Sequence, residues 1–100
     1  MQARQGDVFL EPIESLPKGL KKHTGKLILA YGEVTGHCHE IKETKSVSAF
    51  VDKDGALYLD VKRKTYLEHQ GHSTITIAPG KYKVVRQREY SPEEIRNVQD

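Results

Sequence analysis

Tryptophan is absent from this chain, phenylalanine occurs only twice, and five tyrosines supply most of the aromatic bulk. The longest unbroken apolar run, Leu27 to Tyr31, is far short of the roughly 20 residues a helical membrane span needs. A single cysteine, Cys38, excludes an internal disulfide framework and fits a reducing compartment. Met1 to Asp7 has no apolar stretch behind its charge, so no signal peptide is expected. Sixteen basic against fourteen acidic residues leave a net charge of only +2, so a polyanion partner is not announced by bulk charge. No GxSxG elbow surrounds Ser46, Ser48 or Ser73, and no phosphate-cradling glycine loop occurs. Acyl transfer and nucleotide hydrolysis therefore have no local support. The expectation is a cytoplasmic protein with no membrane segment.

What is there is one hundred residues, 36% hydrophobic and 30% charged, enough for one domain over residues 1–100 with a modest core. Short strand-like runs alternate with turn signals, which predicts an all-β fold. We expect a small β-barrel or sandwich of about seven or eight short strands with a short C-terminal helix. Val8 opens the first strand and Pro12 marks its end or an edge. Ser15 to Gly25 reads as a long surface loop, and with Gly71 it is the candidate mobile lid. Leu27 to Tyr31 reads as a strand buried on both faces, and Gly32 and Gly36 flank a bend into the next strand. Val47–Asp52 and Ala56–Val61 form the clearest hairpin, turning through Asp54-Gly55. Thr65–Glu68 and Thr74–Ala78 are further strands, and Pro79-Gly80 fits the centre of a type II turn into a strand over Lys81 to Arg88. Ser91-Pro92-Glu93-Glu94 is a helix start, with Ser91 as cap, Pro92 at the first helical position and acids at the positive end of the dipole.

Five histidines are present, four of them in two close pairs: His37 with His39, and His69 with His72. Residues two apart on a strand share a face, so His37 and His39 present two imidazoles side by side, with Cys38 opposite. A turn at Gly71 can swing His69 and His72 toward the same point. Imidazole suits zinc, iron, nickel and copper, and three or four nitrogens make an ordinary zinc shell. The competing reading is that these histidines pair with carboxylates or carbonyls as neutral or switchable donors. Cys38 reads as a small core residue, or as an added ligand if the strand is bulged at Gly36. Glu43, on the strand face of His37 and His39, is the candidate carboxylate ligand or general base, or else a solvated rim residue. His23, among the lysines of the loop, is a surface residue.

The segment Gly32 to Glu43 resembles the first metal motif of the cupin superfamily, in which HxH is followed by a glutamate within a small β-barrel. That resemblance maps the motif onto His37, His39 and Glu43 and implies that His69 or His72 supplies the last metal ligand. The whole chain is similar to a group of small uncharacterised bacterial or phage proteins with a Gly-Asp-Val start (Gly6 to Val8), a Thr-Gly-His-x-His centre (Thr35 to His39) and an Arg-Gln-Arg-Glu-Tyr end (Arg86 to Tyr90). This second resemblance bears on the fold and implies no activity.

Three functions follow. The first is a metal-binding β protein with an open coordination position, zinc favouring hydrolysis and iron oxygen chemistry. The second is a non-catalytic interaction module or small subunit, its histidines structural, docking on a larger protein, on nucleic acid or on its own copies. Arg86, Arg88 and Tyr90 alternate on one strand face and are the candidate partner-binding residues. The third is nucleic-acid binding through three basic runs: Lys18 to Lys26, Lys62 to Lys64, and Lys81 to Arg88.

Overall fold

The computed structural model of the chain describes residues 3–31 and 37–86. All its regular structure is β. In chain order the strands are β1 (Ala3–Gln5), β2 (Val8–Ile13), β3 (Lys21–Lys22), β4 (Leu27–Tyr31), β5 (Cys38–Ile41), β6 (Val47–Val51), β7 (Leu57–Val61), β8 (Thr65–His69), β9 (His72–Ile77) and β10 (Gly80–Arg86). They form two antiparallel sheets, one ordered β1-β2-β10-β7-β6-β3 and the other β4-β5-β8-β9. Neither order closes on itself. No helix occurs among the described residues, and the expected helix from Ser91 lies outside them, as does the Gly32 to Gly36 bend.

Period-two alternation explains the core. Val8, Leu10, Leu59, Val61, Tyr82 and Val84 of the larger sheet are buried and belong to one cluster with Leu27, Leu29, Ile41, Leu67 and Ile77 of the smaller. The inner faces thus share one apolar centre. The Asp52 hairpin forms as expected: Asp52 Oδ1 accepts from the N–H groups of Asp54 and Ala56, and Gly55 takes φ +87°.

Four expectations are corrected. Among the described residues there are ten strands, because β1 pairs with β2 through a two-residue turn and β3 pairs with β6. Ser15 to Gly25 therefore contains a short edge strand; its Lys21 and Lys22 are exposed, so no apolar alternation marked it. Leu27 to Tyr31 is not buried on both faces throughout, since Tyr31 is 68% exposed. Gly80 has φ +152°, away from the roughly +80° of a type II turn, and already pairs with Val61.

Two register shifts bear on function. In the β4–β5 ladder Ile28 faces Glu40 but Ala30 faces His39, so Leu29 is an extra residue, and Leu29 and Ala30 are both buried. In the β8–β9 ladder Leu67 faces Ile75 while His69 faces His72, which leaves one extra residue on β9. Such bulges re-aim neighbouring side chains, and here both sit beside histidines.

Candidate functional site

The inner faces of β5 and β8 are apolar at one end and imidazole at the other. Alternation puts His37, His39 and Ile41 on one face of β5 and Thr65, Leu67 and His69 on one face of β8. The strands run antiparallel, with Glu40 opposite Glu68, so the histidines of both gather at the same end. The Gln70-Gly71 turn makes His69 and His72 direct cross-strand partners, whose side chains stand on the same side of the sheet. Cys38 N–H donates to Gln70 Oε1 at 2.9 Å and ties the two segments together.

The imidazoles converge. Ring centroids lie 4.3 Å apart for His39 and His69, 4.6 Å for His69 and His72, 5.8 Å for His39 and His72, and 5.5 Å for His37 and His69. The β1–β2 hairpin closes over them. A β-carbon built on Gly6 would stand 2.8 Å from His72 Nε2 and 3.3 Å from His39 Cε1, so only bare backbone fits there.

Gln5 settles the state of His39. Its carboxamide is buried and donates from Nε2 to Leu67 O at 2.8 Å and to Ser73 O at 2.9 Å. Both donors are thereby committed to carbonyls, so the oxygen end faces His39. Gln5 Oε1 lies 2.9 Å from His39 Nδ1 and can only accept, so Nδ1 carries the proton. In the neutral ring Nε2 is then the lone-pair nitrogen. It stands 3.6 Å from Asp7 Oδ1, too long for a hydrogen bond. Asp7 in turn faces Arg86, Nη2 to Oδ2 at 3.7 Å. At His69 the roles differ: Gly71 N–H donates to Nδ1 at 2.8 Å, which places the proton of the neutral ring on Nε2.

Burial, and next the like charge of His69, lower the proton affinity of His39 below the ordinary 6.5; Asp7 opposes this and His72 adds to it. Burial, followed by His72 and His37, lowers that of His69, again against Asp7. A lowered folded-state value means that the unfolded chain binds more protons, so stability falls as pH falls. The contribution is whole above about 6.5 and is lost progressively as pH drops through the lowered folded-state values. The urea midpoint of metal-free protein is accordingly expected to decline from pH 7.5 to 5.5, and His39→Asn to flatten that decline. A midpoint constant over the window would contradict it.

Other candidates fall elsewhere. Glu43 is exposed beyond the far end of β5, its Oε1 accepting from Lys45 N–H at 2.9 Å; the chain turns after Ile41 and does not carry the strand face onward. Among the described residues, the carboxylate beside the imidazoles is Asp7. Cys38 is half-buried on the other face of β5 from His39, lining a shallow depression with Glu40, Glu68 and Gln70 rather than filling the core. His23 lies at the surface loop, Nε2 to Lys26 O at 3.0 Å. Arg86 faces Asp7, while Arg88 and Tyr90 lie outside the described residues. Gln5, Gly6 and Asp7 were not foreseen as site residues. Their signal was the Gly-Asp pair, since a glycine at the first of two loop positions is a hairpin turn signature.

Among the described residues no group of three or more histidine, cysteine, aspartate or glutamate side chains is placed to hold a metal ion. One reason is visible at His69, whose Nδ1 lone pair is taken by Gly71 N–H.

Residues 4–87 match a family model described as Domain of unknown function (DUF8820), and the chain belongs to that family. No curated protein and no solved structure matches it.

Proposed function

We propose that this protein binds a divalent transition metal, zinc first and iron or nickel next, through His39, His69 and His72, with Asp7 or His37 completing the shell. The observation that carries the reading is the spacing of the three rings. At a zinc–nitrogen distance of about 2.0–2.1 Å and tetrahedral angles, ring centres in one shell stand about 5 Å apart. The three separations here are 4.3, 4.6 and 5.8 Å. Two donors of one such shell stand about 3.4 Å apart, and His39 Nε2 and Asp7 Oδ1 are 3.6 Å apart. His39 is already in the ligating tautomer, held by an acceptor on its far nitrogen as metal-bound imidazoles generally are. His69 must release Gly71 N–H, move its proton to Nδ1 and turn, so binding is coupled to a local rearrangement of the Gln70-Gly71 turn.

A bound ion would acidify a coordinated water toward a pKa of about 7, the chemistry of metal-dependent hydrolysis. The residues around it would orient and tune: Gln5 fixes the His39 ring, and Arg86 faces the outer oxygen of Asp7.

Titration of tag-free protein with zinc, followed by calorimetry and elemental analysis, tests this. One ion per chain is expected, with His39→Ala, His69→Ala and His72→Ala each weakening binding at least about tenfold and Glu43→Ala leaving it unchanged. Less than about a tenth of an equivalent retained, with no heat on titration, would sink it.

A further inference from the structure

We propose that the end of the molecule opposite the histidines binds the phosphodiester backbone of a nucleic acid. The inference is independent of the metal reading and rests on what the topology does with the lysine runs. β5 and β8 are antiparallel, so if one end carries His39 and His69 the other carries the residues after Ile41 and before Thr65. β4 pairs with β5 through Leu27 and Ile41, which brings Lys26 to the same end. Lys62 N–H donates to Ser46 O at 2.7 Å and His23 N–H to Ala49 O at 2.8 Å, fastening the remaining basic segments there.

Two shallow depressions result, and they meet at Thr44. One is lined by Lys42, Lys45, Ser46 and Arg63, the other by Lys22, His23, Thr24 and Ser48. The charge is one-sided. Lys62 is paired with Asp60 at 3.5 Å and is set aside. Of the rest, among the described residues Lys22, Lys26, Lys42, Lys45, Arg63 and Lys64 stand against Glu40, Glu43 and Glu68, six against three. Glu43 is turned back onto Lys45 N–H, and Lys42 reaches Glu68 only at 3.9 Å between exposed groups. A local excess of three charges on a chain whose net charge is +2 leaves the rest of the chain acidic on balance.

The arrangement fits an extended polyanion. Lys42, Lys45 and Arg63 line one depression and Lys22 the adjoining one instead of all converging on one point, which suits successive phosphates better than a single small anion. Thr24, Thr44, Ser46 and Ser48 interleave hydroxyls with the ammonium groups, and phosphate oxygens of nucleic acids are contacted by that mixture. A lipid surface fits less well, because among the described residues the exposed large hydrophobics are two isolated tyrosines, Tyr31 and Tyr66, and no exposed apolar cluster flanks the depressions. Tyr66, 41% exposed and two residues from Lys64, offers a ring on which an unpaired base can stack.

The test is fluorescence anisotropy with a labelled single strand and a labelled duplex, each of about 20 nucleotides or base pairs, at roughly 50 to 200 mM salt. Wild type is compared with Lys45→Ala/Arg63→Ala and with Arg4→Ala/Lys53→Ala, a control pair of equally exposed cations elsewhere. Binding to either probe is expected, weakened at least about fivefold by the first pair and less than about twofold by the control. The slope of log affinity against log salt should shrink by about 1.4 to 1.8, two phosphate contacts' worth. Preference for the single strand would assign stacking to Tyr66, and preference for the duplex would assign backbone tracking alone. If the alanine pair unfolds, Lys45→Gln/Arg63→Gln takes its place. No binding at the lowest salt, equal losses in both pairs, or binding only to anionic vesicles would overturn the proposal.

Discussion

Gln5→Leu is expected to destabilise the protein by about 2–6 kcal/mol and to weaken the proposed metal binding about 10- to 100-fold. Leucine is near glutamine in volume, so the substitution leaves little cavity and isolates the polar loss. Gln5 is 3% exposed and serves three groups: Leu67 O, Ser73 O and His39 Nδ1. Leu67 and His39 are buried, so the carbonyl of one and the ring N–H of the other lose their partners where water is scarce. An unsatisfied buried group costs about 1–3 kcal/mol, and two such groups set the range. Ser73 is exposed and water replaces the amide there, so it adds little. A domain of this size has about 5–15 kcal/mol in total, which makes the shift large in a urea titration. The second effect arises because His39 no longer has an acceptor selecting the Nδ1–H tautomer. Gln5→Glu separates the contributions: it keeps an acceptor for His39 but sets a carboxylate against two carbonyls. A loss from Gln5→Leu below about 1 kcal/mol would show that water fills the place of the amide.

That residue also marks where sequence reasoning stops. His37 and His39 were legible because strand alternation is a local rule, and His69 and His72 because a glycine between them announces a turn. The Asp52 hairpin was legible for the same reason. Gln5 was not. Ala3-Arg4-Gln5 has neither apolar alternation nor bulk, and it is held as a strand by pairing with Leu10, Phe9 and Val8. Gln5 is inside because hydrogen bonds to residues 34, 62 and 68 positions away keep it there, and nothing local records them. β3 escaped for a related reason: Lys21 and Lys22 form an exposed edge whose pairing with Phe50 and Val51 is tertiary. Glu43 shows the opposite error. Counting by twos from His39 put it on the histidine face, but the strand ends at Ile41 and the turn carries its carboxylate onto Lys45 N–H.

The convergence of the histidines follows from how the core ends. The inward residues of β5 and β8 pass from Ile41 and Leu67 to His39 and His69 in one step along each strand face. His39 is therefore enclosed by the apolar centre on one side and by the β1–β2 hairpin on the other, while His69 is half-buried and His72 exposed. This gives one polar cluster with a dry floor, where electrostatic interactions are stronger than in bulk water.

Gly6→Ala is expected to cost at least about 1–2 kcal/mol in stability yet to abolish most of the proposed metal binding, and the disproportion is the point of the experiment. Gly6 has φ +59°, which an alanine adopts at that penalty. Its β-carbon would also stand 2.8 Å from His72 Nε2, and something must yield. His72 is exposed and can swing outward cheaply, whereas buried His39, whose Cε1 would stand at 3.3 Å, must give by a few tenths of an ångström and adds to the cost. Swinging outward takes its nitrogen away from His39 and His69, and the proposed shell loses a member. Gly19→Ala provides the comparison. Gly19 has φ +80°, and a β-carbon there meets nothing within 4 Å. Gly6→Ala should thus fall somewhat further than Gly19→Ala in urea, while only Gly6→Ala loses zinc affinity, by about tenfold or more. Equal zinc affinity in both would mean that His72 does not belong to the site, leaving His37 or Asp7 to take its place beside His39 and His69.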